Sequence, residues 1–226
     1  MSLRETFGDV GLTGPGQSAT RELIRTRLVT ALGGLRGIVD GGLPPLLFAV
    51  VNAVAGASTT RSTALVSAAA AAATTGSLIV VVRLIRREPL RQALGGLAGL
   101  AIAIAFALQA GEARGFFLPG IYIDAAYAIG FLGSALVGRP AIGFVYGLLS
   151  GQRGRWRQDA SIRRTLTWAT VGWALVFAVR AGGQAYLYLD DQPTLLAVGK
   201  LALGWPLTVL AVVLTFVAIG RSTRRA

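Results

Sequence analysis

Six long apolar stretches, separated by short polar connections, set the pattern of this chain, at about 38–57, 63–82, 92–110, 118–137, 166–189 and 194–219. A helix needs roughly 20 apolar residues to cross a hydrocarbon core, so each stretch predicts a transmembrane helix. A further run, Arg139-Pro140 to Ser150, is moderately apolar. Counting it as a span would place the arginines around Arg155 on the wrong side, so it is expected to be interfacial or partly re-entrant.

Arginine placement orients the helices. Arg4, Arg21, Arg25, Arg27 and Arg36 precede the first stretch, and Arg83, Arg86, Arg87 and Arg91 join the second to the third. Arg139, Arg153, Arg155, Arg157, Arg163 and Arg164 join the fourth to the fifth, and Arg221, Arg224 and Arg225 follow the sixth. The alternate loops hold only Arg61 and Arg114, with Glu112, Asp190 and Asp191. Basic loops stay cytoplasmic. The expected fold is therefore all-α: a polytopic integral membrane protein of six transmembrane helices in three hairpins, with both termini cytoplasmic. Residues 1–20 read as a disordered cytoplasmic tail, 21–220 as the membrane domain and 221–226 as a basic cytoplasmic tail. Arg21 to Leu35 has the spacing of an amphipathic helix in the headgroup layer, or of a plain extension of the first span.

Local composition refines several spans. The first begins in Gly33-Gly34 and Gly41-Gly42 and carries Pro44-Pro45, which weaken a helix, so it is the expected site of a break. The Ala68–Ala73 run and Gly95-xxx-Gly99 allow close helix approach. Phe116-Phe117 and Tyr186 with Tyr188 have the character of interfacial aromatics. Ala31-Leu32-Gly33-Gly34-Leu35 recurs as Ala93-Leu94-Gly95-Gly96-Leu97, as three related hairpins would require.

The whole-chain composition agrees: 54% hydrophobic and only 14% charged, against about 25% charged in soluble domains. The net charge of +12 fits the loop arginines and an attraction to anionic headgroups on the cytoplasmic side. Nucleic acid is not an expected partner, because the arginines flank spans and lack interleaved aromatics. Cysteine and histidine are absent, which removes disulfides, thiol catalysis and the usual zinc and haem ligands. No metal or other cofactor is expected, and without a Walker loop, Rossmann fingerprint or nucleophile elbow, neither is enzymatic activity. Arginine and alanine richness points to a GC-rich bacterial genome, and hence to the bacterial inner membrane.

Polar residues within the spans are the site candidates. Counting 1.5 Å per residue puts Asn52, Asp124, Arg180, Gln184 and Lys200 in one layer toward the outer side, with Tyr122, Tyr127 and Tyr188 as further hydroxyls. Charges at such depth cost at least about 2.5–3.5 kcal/mol each, so Asp124 is expected to balance Arg180 or Lys200, leaving one positive charge. That layer is either a pocket for an anion, open to the outside, or a structural ion-pair network. Arg36 and Asp40, spaced i, i+4, form a second candidate: a cytoplasmic anion or lipid-phosphate site, or a local pair and cap.

Several motifs resemble an actinobacterial family of multispanning membrane proteins, the domain of unknown function 3159. They are Gly34-Leu35-Arg36-Gly37 with Asp40 and Pro44, Arg87-Glu88-Pro89-Leu90-Arg91-Gln92-Ala93-Leu94, Phe116-Phe117-Leu118-Pro119-Gly120, Arg139-Pro140, Trp173 with Arg180, Leu187-Tyr188, and Lys200 to Leu207. The family pattern has an acid, more often glutamate, where this chain has Asp40, and an amide where it has Asp124. A fainter resemblance, to the intracellular septation protein A family, rests on basic-Pro junctions and a Lys-bearing last span. It implies an envelope or division role. Neither resemblance supplies catalytic residues. The expected functions are a small transporter or channel for an anionic or amphiphilic solute, and a non-catalytic envelope or septation scaffold. Beyond lipid, the partners to consider are a second copy of the chain and an envelope protein.

The charge pattern predicts that topology reporters placed near Glu88, Arg155 and Arg224 will report the cytoplasm, and those near Ser58, Glu112 and Asp191 the outside. A reporter near Arg155 on the outside would overturn the six-span arrangement.

Overall fold

The computed structural model describes residues 34–88, 90–150 and 154–222. All regular structure among them is helical. The helices are α1 (Gly34–Gly56), α2 (Arg61–Ile85), α3 (Leu90–Ala110), α4 (Leu118–Leu136), α5 (Ala141–Ser150), α6 (Ala160–Leu189) and α7 (Pro193–Ser222). Short 3₁₀ turns, Ala113–Phe117 and Arg155–Arg157, precede α4 and α6. The expected headgroup-layer helix from Arg21 and the 1–20 tail lie outside the described residues.

Four stretches are long and apolar enough to cross a membrane: Arg61–Ile85, Ala93–Ala110, Ala113–Leu136 and Pro193–Ser222. The apolar part of α1, Asp40–Gly56, is shorter. Helix α6 has ample length, but Arg180 and Gln184 interrupt its apolar run. Helix α5 is only about 15 Å long at 1.5 Å per residue, half a hydrocarbon core.

Backbone groups at the helix ends are satisfied internally. Helices α2, α3, α4 and α6 each terminate at a left-handed residue: Arg87, Gly111, Gly138 and Asp191, with φ of 54°, 66°, 72° and 51°. The next amide then turns back to bond a carbonyl of the last turn, as from Glu88 to Arg83 (2.9 Å) and from Arg139 to Ser134 (2.9 Å). Helix α6 starts on Asp159, whose carboxylate accepts from the amides of Ser161 and Ile162. Threonines inside the helices donate to carbonyls four residues back, including Thr74, Thr75, Thr170, Thr208 and Thr215, so these hydroxyls are not stranded in an apolar setting.

Helix packing is cyclic. Helix α1 packs on α2, α2 on α3, α3 on α4, α4 on α6, α6 on α7, and α7 back on α1. Neighbours run antiparallel: Gly42 lies against Leu201, Gly76 against Leu100, and Gly183 against Leu203. One end of the ring consequently carries Arg83, Arg86, Arg87, Arg139, Arg163, Arg164 and Arg221, and is called the basic end below. The opposite end carries Glu112, Arg114, Asp190 and Asp191. Large apolar side chains such as Val54, Leu78, Ile129, Leu175 and Leu214 point outward from every side of the ring. A water-soluble monomer rarely tolerates so much exposed apolar surface; lipid would cover it.

Small residues set the helix spacing. Ala64, Ala68 and Ala72 are buried along α2. At Gly76 a Cβ would stand 2.5 Å from Leu100 Cδ2. Near the opposite end, Phe48, Phe116, Phe117 and Leu196 are almost wholly buried. Phe48 stacks on Phe116 with centroids 4.1 Å apart, and Phe117 meets Phe116 edge-on at 5.2 Å. Arg114 fastens this plug: it bonds the Glu112 carboxylate at 2.6 Å and the Tyr188 carbonyl at 3.3 Å.

The expected break in α1 is not observed. The helix runs unbroken through Pro44 and Pro45. Because proline has no N–H, the carbonyls of Asp40 and Gly41 lose their helical donors while the path of the backbone continues.

The packing predicts that Gly76→Leu will destabilise the protein by about 1–3 kcal/mol through overpacking between α2 and α3. Gly133→Ala, with nothing within 4 Å of its Cβ position, should be neutral or mildly stabilising. Thermal unfolding of the two variants in detergent checks this; equal melting temperatures would contradict the stated contact.

Candidate functional site

Helices α4 and α6 form the most extensive interface in the ring. Aromatic contacts line it toward the basic end: Tyr127 with Phe177 at 5.1 Å, Phe131 with Phe177 at 5.4 Å, and Phe131 with Trp173 at 6.4 Å. One turn further, this ladder gives way to polar groups. Asp124 follows the spacing of Tyr127 and Phe131 on α4, while Arg180 and Gln184 follow that of Trp173 and Phe177 on α6.

The structure brings Asp124, Arg180 and Gln184 into contact. Asp124 Oδ2 accepts from Gln184 Nε2 at 3.0 Å, and its Oδ1 lies 3.4 Å from Arg180 Nη2. Asp124 is 6% exposed and Gln184 1%. Arg180 also stands over the Phe177 ring at 5.7 Å. The pairing is incomplete, because Arg180 Nε and Gln184 Oε1 are buried with no hydrogen-bond partner among the described residues. Buried polar atoms in folded proteins are nearly always bonded, so these two call for a further partner, which can be a water.

Lys200 projects from α7 beside this cluster, close enough for its charge to interact with Asp124 and Arg180 but without a direct bond to either. Its ammonium makes no ion pair or hydrogen bond with a described residue, and its closest aromatic partner is Phe117, with Nζ 5.8 Å from the ring centroid. Asn52 is half-buried on α1 and bonds none of the other four. Tyr122 and Tyr127 are largely exposed, and Tyr188 sits under Arg114.

Two cavities meet at Lys200. One, of about 490 Å³, runs from Asp40 and Arg83 to Phe116 between α1, α2, α3, α4 and α7. The other, of about 270 Å³, lies between α1, α6 and α7 and includes Arg180 and Thr208. Gly41, Pro45 and Lys200 border both. A larger cleft near Trp168 and Arg221 has no buried charge on its walls. The packing closes the cluster toward the end that carries Glu112, Asp190 and Asp191. Phe48, Phe116, Phe117 and Leu196 fill the ring beyond Lys200, leaving the cavity to extend toward the basic end and sideways.

Asp40 has a partner that residue spacing alone did not identify. Its Oδ2 accepts from Arg83 Nε at 3.0 Å and also from Arg83 Nη2, which ties the start of α1 to the end of α2. The side chain of Arg36 lies outside the described residues. Counting equal distances from the hairpin turn would have pointed from Asp40 to the last turns of α2. Arg114 was likewise legible only as a stray charge in an otherwise acidic loop.

These features define an all-α bundle with membrane-length helices and charged groups in its interior. The chain belongs to the family described as Protein of unknown function (DUF3159), whose model matches residues 32–226. Comparison with curated proteins and with solved structures returns no match.

The cluster predicts non-additive energetics. Asp124→Ala leaves Arg180 uncompensated and should cost about 3–5 kcal/mol. Asp124→Ala combined with Arg180→Gln should cost clearly less than the sum of the two single changes. Unfolding measurements in detergent would reveal this coupling, and strict additivity would show that the two side chains do not interact.

Proposed function

We propose that this chain is a six-span protein of the bacterial inner membrane, with both termini cytoplasmic, that acts as a transporter or channel for an anionic or amphiphilic solute. The observation that carries the reading is the charge imbalance around the inner cavities. Arg180 and Lys200 border one cavity, and Asp124 is the acid paired with that layer. A lone cation in an apolar interior is costly, and a bound anion removes that cost. A purely structural network would be expected to absorb Lys200 as well.

The broken hydrogen bonding of α1 supplies a means of movement. Helices bend where proline removes donors, and transporter sites commonly lie beside such interruptions. Pro45 borders both cavities and Pro44 the larger one. Flexing α1 there would alter the cavity walls, while the Asp40–Arg83 bridge holds the basic end and the phenylalanine plug closes the opposite end. The guanidinium of Arg180 offers a planar, permanently charged fork that lysine cannot reproduce.

Arg180→Lys and Lys200→Gln are therefore expected to keep normal protein levels and thermal stability yet fail to rescue a deletion strain that wild type rescues. Full rescue by both variants at normal levels would remove the anion site and favour a scaffold role. Loss of the protein in both would assign the cluster to folding.

A further inference from the structure

We infer that the solute is an anionic amphiphile, with its phosphate or carboxylate head on Lys200 and its apolar chain leaving between α3 and α4 into the bilayer. This inference rests on the anion-binding reading above and adds the class of ligand and its route.

The ring is weakest at one seam. Of the six neighbouring helix pairs, α3 and α4 share the least direct packing; their ends are held mainly through the 3₁₀ turn at the plug. The larger cavity reaches this seam. Gly96, Gly99 and Ile123 line the cavity and are exposed, as a lateral mouth at this seam requires. No atom lies within 4 Å of a Cβ built at Gly96 or Gly99. The helices on both sides of the seam carry exposed apolar residues, such as Ile102 on α3 and Ile129 on α4, where the neighbouring solvent would be lipid.

The walls distinguish a tailed anion from a bare one. Apart from Lys200 and the mutually paired Asp40 and Arg83, they consist of glycine, alanine, proline, leucine, isoleucine and phenylalanine. A small hydrated anion needs several donors to replace its water, and this cavity offers it one ammonium. An amphiphile exchanges its chain between two apolar surroundings and asks only for a counter-charge at the head. A volume of about 490 Å³ suits the head and the first part of a chain, with the remainder outside the seam. It lies within the usual range of ligand pockets, about 300–1,000 Å³.

The test uses the full chain in non-ionic detergent, with native mass spectrometry to count adducts of n-decyl phosphate, inorganic phosphate and n-decyl trimethylammonium. Wild type is compared with Lys200→Gln and Gly99→Leu. A Cβ at position 99 meets open space and leucine is a better helix former than glycine, so this variant is expected to fold and to carry the test even if Lys200→Gln does not. The expected result is that decyl phosphate binds at least tenfold more tightly than inorganic phosphate or the decyl cation, and that both variants weaken it about tenfold or more. Binding of inorganic phosphate as tight as that of decyl phosphate, unaffected by Gly99→Leu and lost in Lys200→Gln, would overturn the amphiphile while keeping the anion site. Absence of binding by both phosphates, or equal binding of the decyl cation, would overturn both.

Discussion

An ion held inside an apolar bundle has to be matched by an opposite charge, and much of this molecule is arranged around that constraint. Asp124 is matched with Arg180 across the α4–α6 interface, with Gln184 bonding the second carboxylate oxygen. The aromatic ladder of Tyr127, Phe131, Trp173 and Phe177 sets the register that allows them to meet. Lys200 is the charge left over. It lies where two cavities join, next to the stretch of α1 in which prolines have removed helical hydrogen bonds, and behind a phenylalanine plug that separates it from the opposite end of the ring.

The remaining architecture frames that interior. Small side chains let α1, α2 and α3 approach closely around the cavity, and left-handed terminating residues satisfy carbonyls at the helix ends. Two ion pairs tie the ends: Asp40 to Arg83 at the basic end, and Arg114 to Glu112 at the other. Both pairs are partly exposed and are worth little as isolated energies. Their role is positional. Arg114 keeps the 3₁₀ turn, and with it Phe116 and Phe117, over the cavity. Arg83 holds the start of α1, just below the proline pair.

The helices were readable because an apolar run of membrane length constrains the backbone so strongly. Each expected span from 38–57 to 194–219 contains or closely underlies an observed helix, and the short run after Pro140 forms a helix too short to span. Helix α6 begins at Ala160, before the apolar run, because the Asp159 cap and solvated Arg163 and Arg164 allow it to extend past that run. The continuity of α1 was hidden by its glycines and prolines, whose local preferences were outweighed by packing against α2 and α7. At the site, depth counting could group Asp124, Arg180, Gln184 and Lys200 along the helix axes. It carries no information on which way each helix is rotated. For that reason it could not separate Lys200 from the ion pair, match Asp40 to Arg83, or place the plug over the cavity.

The central claim is that Lys200 is left as an uncompensated charge so that an anionic ligand can occupy the cavity beside it. The most direct measurement is a high-resolution electron cryo-microscopy map of the protein extracted from its own membrane into lipid nanodiscs. The account predicts elongated density with its head within hydrogen-bond distance of Lys200 Nζ, about 3 Å, and its tail passing between Gly99 and Ile123. An empty cavity, with Lys200 drawn into a direct ion pair with Asp124, would contradict it.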